Sequence, residues 1–212
     1  HNLHMLLFAA SYDGQGAVAT QAGKDYRKYA DDAKFEATTL IRFGRFDEVL
    51  ELDHRPDNSA SAAIYDFAKG YAMLKSGDPE GAQTTLTALR EYVASTDDKI
   101  RFHPAKNVVG VLVHILAGEI QLTDGKVEAA IDSFKQAVAL EDSLDYDEPE
   151  PLPFAARHWL GQTLLGAGQP TKAEAVFRAE LEDHPHNGWS LFGLQQALAA
   201  RSLSDASVDD DL

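Results

Sequence analysis

Five glycines recur along the chain at the ends of helix-like apolar stretches, and they constrain the fold more than any other feature. They are Gly14, Gly44, Gly77, Gly125 and Gly168. Glycine accepts a positive φ angle at low cost, so it commonly ends one helix and permits a short turn into the next. A short turn between two helices makes them antiparallel. The pattern therefore predicts five helical hairpins in succession.

Residues of similar size recur at fixed distances from these glycines. The positions seven residues before and five residues after each glycine are mostly small, and in the last three hairpins a large apolar residue follows nine residues after it. The sets are Leu7, Ala37, Gly70, Gly118 and Gly161; Ala19, Val49, Ala82, Ala130 and Ala173; and Leu86, Phe134 and Phe177. Small residues at a crossing let two helix axes approach to about 8–10 Å. The pattern predicts closely packed helix pairs with a large core residue beside each crossing.

Residues typical of helix starts, and two stretches between the hairpins, divide the sequence further into helices and loops. Asp78 reads as an N-cap before Pro79, and Asn187 reads as the N-cap of a last helix. Two stretches between hairpins, 95–106 and 141–153, are polar or proline-bearing and are predicted to be loops. We interpret the acidic second loop as a solvated spacer, with the alternative that it folds across the inner face of the array.

These signals predict a single helical domain over 1–201 and an acidic disordered tail over 202–212. The predicted hairpins are approximately 1–28, 30–55, 60–95, 104–141 and 153–184, followed by a capping helix at 188–201.

A helix–turn–helix unit of this length and pattern resembles the tetratricopeptide repeat. The unit 154–185 carries Gly161, Ala173, Phe177 and a closing Pro185 at the family's spacings, and 111–142 matches more loosely. The resemblance implies an all-α, right-handed superhelix of about eleven helices. It also implies a scaffold that binds a protein or peptide in a concave groove lined by the first helix of each hairpin.

The family's register assigns nine residues to that groove. They are Lys34, Thr38 and Arg42; Phe67, Tyr71 and Lys75; Glu119; and His158 and Gln162. Three of them would place positive charge on the inner wall of a negatively charged protein, which suits an acidic or C-terminal carboxylate ligand. The alternative is that these are ordinary solvated helix residues.

Composition narrows the classes of partner. The net charge is −15, which disfavours nucleic acid and anionic membranes because phosphates are repelled. No apolar run is long enough to suggest a spanning helix, and there is no cysteine, which excludes disulfides and thiolate chemistry. A cytoplasmic location is our expectation. The chain begins with histidine, so it is either processed, started by a leftover tag residue or, as we expect, part of a longer chain.

Other functions are less well supported by the residues. No GxSxG, HExxH, phosphate-loop or GxGxxG motif occurs in a suitable context, so we predict neither an enzyme nor a cofactor. His1 with His4, and His184 with His186, leave a metal-binding or hydrolytic protein as one alternative. The apolar segment LHMLLFAA in the first helix needs cover, either from an absent N-terminal part or from a second copy of the chain. A homodimer through this helix is thus a further expectation.

Overall fold

The computed structural model describes residues 1–209, with side chains described as far as Leu203. Within these residues the chain forms eleven helices and one short β-hairpin, which confirms the predicted all-α solenoid of antiparallel hairpins. The helices are α1 Asn2–Tyr12, α2 Gly16–Ala30, α3 Lys34–Arg42, α4 Phe46–Glu51, α5 Ser59–Lys75, α6 Pro79–Ser95, α7 Ala105–Thr123, α8 Val127–Glu141, α9 Arg157–Gly166, α10 Pro170–Asp183 and α11 Gly188–Asp209. The successive helix pairs span 2–30, 34–51, 59–95, 105–141 and 157–183.

Each of the five turn glycines adopts the left-handed backbone conformation that its position in the sequence suggests. Their φ angles are +76° at Gly14, +70° at Gly44, +90° at Gly77, +75° at Gly125 and +69° at Gly168. A side chain at such a φ would strain the backbone, so only glycine reverses the chain here at low cost. The turns therefore form as predicted, and each joins two antiparallel helices.

Phe177 on α10 acts as a wedge between two first helices. An added Cβ atom at Gly161 on α9 would lie 2.5 Å from Phe177 Cζ, and one at Gly193 on α11 would meet the same ring. Phe177 is 2% exposed. The absence of side chains at the two glycines lets α9 and α11 both approach the ring. The predicted arrangement of a small residue against a large one is thus the packing unit of the C-terminal hairpins.

Helix α7 forms the centre of the core. It is long and apolar enough to cross a membrane by length and composition, contrary to our reading of the sequence, but 72% of its apolar window is buried inside the fold. Val108, Leu112, Ile115 and Leu116 are completely buried. Its apolar character is therefore accounted for by packing among neighbouring helices.

The first insertion contains a small antiparallel hairpin of two strands, β1 Lys99–Ile100 and β2 His103–Pro104, which the sequence pattern did not predict. Two of its side chains contact Asp147 in the second insertion. His103 is completely buried and its Nε2 lies 3.2 Å from an Asp147 oxygen, while Arg101 Nη1 lies 2.5 Å from the other oxygen. The two loops thus form one packed unit.

The second insertion is not the solvated spacer that we expected. Within it Asp147 is 6% and Leu152 3% exposed, and Phe154, directly after it, is completely buried. The Phe154 ring lies 6.4 Å from that of Phe67 and 5.1 Å from that of Trp159. The contact with Phe67, which was assigned to the groove, is therefore made by the residue that directly follows the insertion. Burial of its apolar residues outweighs the solubility of its acidic ones.

The last helix also differs from its predicted extent. Asn187 caps it as expected, because the Trp189 N–H donates to Asn187 Oδ1 at 3.0 Å. Helix α11 then continues to Asp209, well past the predicted end at 201. Residues 202–209 contain neither proline nor glycine to stop a helix, so most of the predicted tail is helical. Residues 210–212 lie outside the described part.

The wedge makes a direct prediction for stability. Gly161→Ala should lower the free energy of unfolding by about 1–3 kcal/mol, because the Phe177 ring must move to admit a methyl group. Gly166→Ala lies on the same helix, where an added Cβ atom would contact nothing within 4 Å. It should leave stability unchanged or raise it by up to about 1 kcal/mol. Denaturant unfolding of both variants checks this, and equal effects would contradict the close packing.

Candidate functional site

The two ends of the solenoid meet through side chains. Trp189 Nε1 on α11 donates a hydrogen bond to the carbonyl oxygen of Ser11 on α1 at 2.8 Å. The rings of Tyr12 and His184 are 4.6 Å apart, and the Arg42 guanidinium lies 4.0 Å from the centre of the Trp189 ring. Helices α1 and α3 are therefore linked to the C-terminal helices, and the concave face is closed to a cleft where an open groove was expected.

This concave cleft has a volume of about 350 Å³. Its walls come from α3, α5, α7, α9, α10 and α11. The lining residues are Ile41, Arg42, Tyr71, Glu119, His158, Trp159, Gln162, Phe177, Trp189, Phe192 and Gly193. Mostly apolar walls with a few polar groups, in a space of this size, are typical of a site for a small ligand or a single anchoring side chain.

Arg42 and His158 form the polar floor of the cleft. Arg42 Nη2 donates to His158 Nδ1 at 3.0 Å. His158 Nε2 lies 2.9 Å from the amide nitrogen of Asn187 and 3.1 Å from Ser190 Oγ, so both ring nitrogens are in contact with polar groups of the fold. Burial, followed by the charge of Arg42, holds the pKa of His158 well below its ordinary value, so the ring is neutral at pH 7.

Arg42 itself keeps a charge that no carboxylate contacts within the described residues. Burial lowers the pKa of Arg42 to about 10, so it stays protonated at neutral pH. Its buried Nε has no hydrogen-bond partner among the described residues. A buried donor left without a partner costs free energy that a ligand acceptor would recover.

The opposite wall is a chain of hydrogen bonds across three helices. Trp159 Nε1 donates to the Tyr71 hydroxyl at 3.1 Å, and that hydroxyl donates to Glu119 Oε1 at 2.9 Å. Lys75 Nζ contacts Glu119 Oε2 at 2.5 Å. The negative charge of Glu119 is therefore balanced within the wall, and the cleft is left with the positive charge of Arg42.

Six of the nine groove residues assigned from the sequence come together here. Arg42, Tyr71, Glu119, His158 and Gln162 line the cleft, and Lys75 braces it. Sequence reasoning missed several wall residues, namely Ile41, Trp159, Phe177, Trp189, Phe192 and Gly193. Those on α11 lie in the predicted capping helix at 188–201, which was not considered part of the groove.

The other three assignments are wrong as ligand contacts, because the side chains are buried elsewhere. Lys34 is 9% exposed and its Nζ bonds to Asp32 and to Ser61 Oγ. Thr38 is completely buried and its hydroxyl donates to the carbonyl oxygen of Lys34. Phe67 is completely buried, and its ring packs near that of Phe154, which directly follows the second insertion. Hydrogen bonds to nearby groups and packing in the core therefore keep these three side chains out of the cleft.

In each histidine pair considered as a metal site, one histidine is held by contacts within the fold and the other is exposed. His184 donates from Nδ1 to Glu180 at 2.8 Å and from Nε2 to Glu150 at 3.1 Å, while His186 is exposed. His4 is buried against the Phe35 ring, and His1 is exposed. In the part of the chain that is described, no group of three or more His, Cys, Asp or Glu side chains is arranged to hold a metal ion.

The fold and the cleft define a class: an all-α solenoid of helical hairpins with a closed concave site. A family model described as Tetratricopeptide repeat matches residues 115–188, which run from within α7 to the start of α11. Residues 115–188 are thus similar to a tetratricopeptide repeat, and repeats of this kind suggest a scaffold for protein–protein interaction. No curated protein and no solved structure matches the chain.

The His184 contacts predict how stability depends on pH. Burial lowers the pKa of His184, but the hydrogen bonds and charges of Glu150 and Glu180 outweigh it and raise the pKa to about 10. The folded state therefore holds this proton more tightly than the unfolded state, whose histidine titrates near about 6.5. This stabilisation is fully present below pH 6.5 and is lost as the pH rises to 10.

Between pH 6.5 and 9.5, the free energy of unfolding of the wild type should therefore fall by roughly 3–4 kcal/mol more than that of His184→Gln. Denaturant unfolding at several pH values measures both profiles. Parallel profiles would contradict the assignment of the proton to His184.

Proposed function

We propose that the protein is a binding scaffold whose concave cleft takes one large apolar side chain of a partner protein, with a neighbouring carboxylate of that partner on Arg42. The observation that carries the proposal is the Arg42 guanidinium. It lies in an aromatic cleft, keeps its charge, and has a buried Nε without a partner among the described residues. A carboxylate is the group that matches a guanidinium in charge and geometry.

The mouth of the cleft supports docking of a protein segment. Phe192 lines the cleft and is 59% exposed, and the adjacent Leu191 is 47% exposed. Aromatic residues exposed beside a desolvated pocket are typical of the centre of a protein interface. The walls are braced by the hydrogen bonds from Trp159 through Tyr71 to Glu119, so the site is already formed before binding.

A hydrolytic role is the alternative, because His158 and Ser190 are hydrogen-bonded. Two features argue against it. Arg42 contacts the ring nitrogen where a hydrolase places a carboxylate. Its positive charge opposes the imidazolium that would form if the ring took up the serine proton. Ser190 is also completely buried, out of reach of a substrate.

Binding through the cleft is tested with an array of synthetic peptides. We expect the peptides retained by the wild type to share a large apolar residue beside Asp, Glu or a free C-terminus. Phe192→Ala and Arg42→Gln should each weaken binding about tenfold or more, because each removes one of the two anchors. Leu203→Ala, at an exposed apolar position farther along α11, is the control and should bind normally. Retention of the same peptides by both cleft variants would contradict the proposal.

A second copy of the chain is a further candidate partner. On α1, Met5 is 40% and Leu6 48% exposed, so the apolar face that we expected to need cover is on the surface of the described structure. If this face joins two copies, the protein should sediment as a dimer at high concentration and Leu6→Asp should sediment as a monomer. A wild-type protein that stays monomeric would contradict this contact.

A further inference from the structure

The imidazole ring of His158 faces hydrogen-bond donors at both of its nitrogens. Arg42 Nη2 lies 3.0 Å from Nδ1, and Asn187 Nδ2 lies 2.9 Å from Nε2. A neutral imidazole has one donor nitrogen and one acceptor nitrogen. The ring therefore accepts from only one of these two groups at a time, and the position of the ring proton decides which.

The side-chain amide of Asn187 is held in the orientation that creates this conflict. Its oxygen accepts the backbone N–H of Trp189 at 3.0 Å as the cap of α11, so its nitrogen is the atom that faces the ring. The same nitrogen donates to Glu180 Oε1 at 3.2 Å, and this oxygen also accepts from His184. Glu180 is 1% exposed. Asn187 is thus fixed from two sides and presents an N–H to His158 Nε2.

In the free protein the bond from Arg42 decides where the ring proton lies. A hydrogen bond from a charged guanidinium is roughly twice as strong as one from a neutral amide. Nδ1 is therefore the acceptor, the proton lies on Nε2, and Ser190 Oγ accepts it at 3.1 Å. The N–H of Asn187 that faces Nε2 is then left without an acceptor, although Asn187 is only 2% exposed. A buried donor without a partner raises the free energy of this state.

Arg55 shows how a guanidinium of this chain binds a carboxylate. Its Nε and Nη2 donate to the two oxygens of Asp66 at 2.8 and 2.7 Å. In Arg42 the corresponding edge has a buried Nε without a partner among the described residues and an Nη2 in contact with His158. A carboxylate on this edge would thus bring one oxygen to Nη2, beside His158 Nδ1.

That oxygen changes which ring nitrogen should carry the proton. A lone pair on Nδ1 would repel the carboxylate oxygen, whereas an Nδ1–H group would donate to it. Moving the proton also gives Nε2 the lone pair that the N–H of Asn187 lacks. These two gains offset the loss of the bond from Arg42 to Nδ1, and the ligand replaces His158 as the acceptor for Arg42.

We propose that a carboxylate bound on Arg42 moves the ring proton of His158 from Nε2 to Nδ1, so that His158 becomes a second donor to the ligand. The N–H bond at Nε2 breaks and one at Nδ1 forms by exchange with water, so the ring stays neutral and no net proton is taken up. The inference rests on the proposed binding of a carboxylate in the concave cleft. It makes His158 a residue that determines specificity, because a ligand needs a second acceptor oxygen to use Nδ1–H.

The test is nitrogen NMR of the full chain with isotope-labelled histidines, because the ring-nitrogen shifts distinguish the two neutral tautomers and the charged ring. The probe is 3-phenylpropanoate, which combines one large apolar group with a carboxylate, and the matched control is 3-phenylpropanamide. In the free protein we expect the His158 proton on Nε2. Saturating 3-phenylpropanoate should place it on Nδ1, while the amide, which has a single acceptor oxygen, should leave it on Nε2.

The outcomes separate this inference from the proposed function. If the probe shifts the indole resonances of Trp159 and Trp189 while the His158 proton stays on Nε2, the cleft binds a carboxylate and the inferred role of His158 is wrong. Protons on both ring nitrogens in the complex would overturn it as well. Indole resonances that do not respond to the probe would overturn the carboxylate site itself, and this inference with it.

Ser190→Ala tests the inference through the sign of its effect. It removes the acceptor of the Nε2 proton and keeps the donor at Asn187, so the ring proton should move towards Nδ1 in the free variant. Binding of 3-phenylpropanoate should then tighten about threefold to tenfold, because less free energy is needed to move the proton. Ser202→Ala, at an exposed position on the same helix, should bind as the wild type does. Circular dichroism verifies folding, and unchanged or weaker binding by folded Ser190→Ala would overturn the proposal.

Discussion

The reversal of the chain at five glycines with positive φ is the constraint on which the rest of the structure depends. Each reversal is short, so each helix pair is antiparallel, and the first helices of successive hairpins come to face the same side. The interior of the array is then determined by what those first helices carry. Small residues at the crossings, such as Gly161 against Phe177, let the helices approach closely enough to bury a continuous core.

Contact between the first and last helices determines the size and lining of the space on the inner face. Trp189 reaches from the last helix to the first, and Arg42 packs on its ring while bonding to His158. Phe154, directly after the second insertion, packs near Phe67 and Trp159 and fills another part of the inner face. What remains is a cleft of the size of one or two side chains. This favours recognition of an anchor residue over binding of a long extended peptide.

The polar groups are distributed unevenly around this closed core. Arg42 keeps a positive charge inside the concave cleft, while surplus carboxylates gather between the second insertion and α10. A protein with a net charge of −15 thus presents both signs at defined places. Charges placed in partly enclosed sites contribute more to specificity than the same charges spread over a surface.

The features predicted well from the sequence depend on local physics. A turn glycine, the Asn187 cap and the size pattern around Gly161 are decided by neighbouring residues, so they are readable in one sequence. The groove was predicted only in part. Lys34 does not face the groove, because it belongs to a hydrogen-bonded group with Ser61 and Asp32. The hydrogen bond from Trp189 to Ser11 joins residues that are 178 positions apart. Such long-range contacts leave no periodic signal, because each is made once.

The burial of the second insertion was missed for a related reason. Its acidic residues suggested solvation, whereas Leu152 within it is buried against the core.

Closure of the solenoid is the central claim, and a distance between its two ends tests it directly. The chain has no cysteine, so cysteines introduced at the exposed positions Gln15 and Leu191 accept spin labels selectively. First helices are spaced about 8–10 Å apart, so the ends of an open array of six would be several helix widths apart. Double electron–electron resonance should give one short, narrow distance distribution. A long or broad distribution would show that the ends are apart and would contradict the closed cleft.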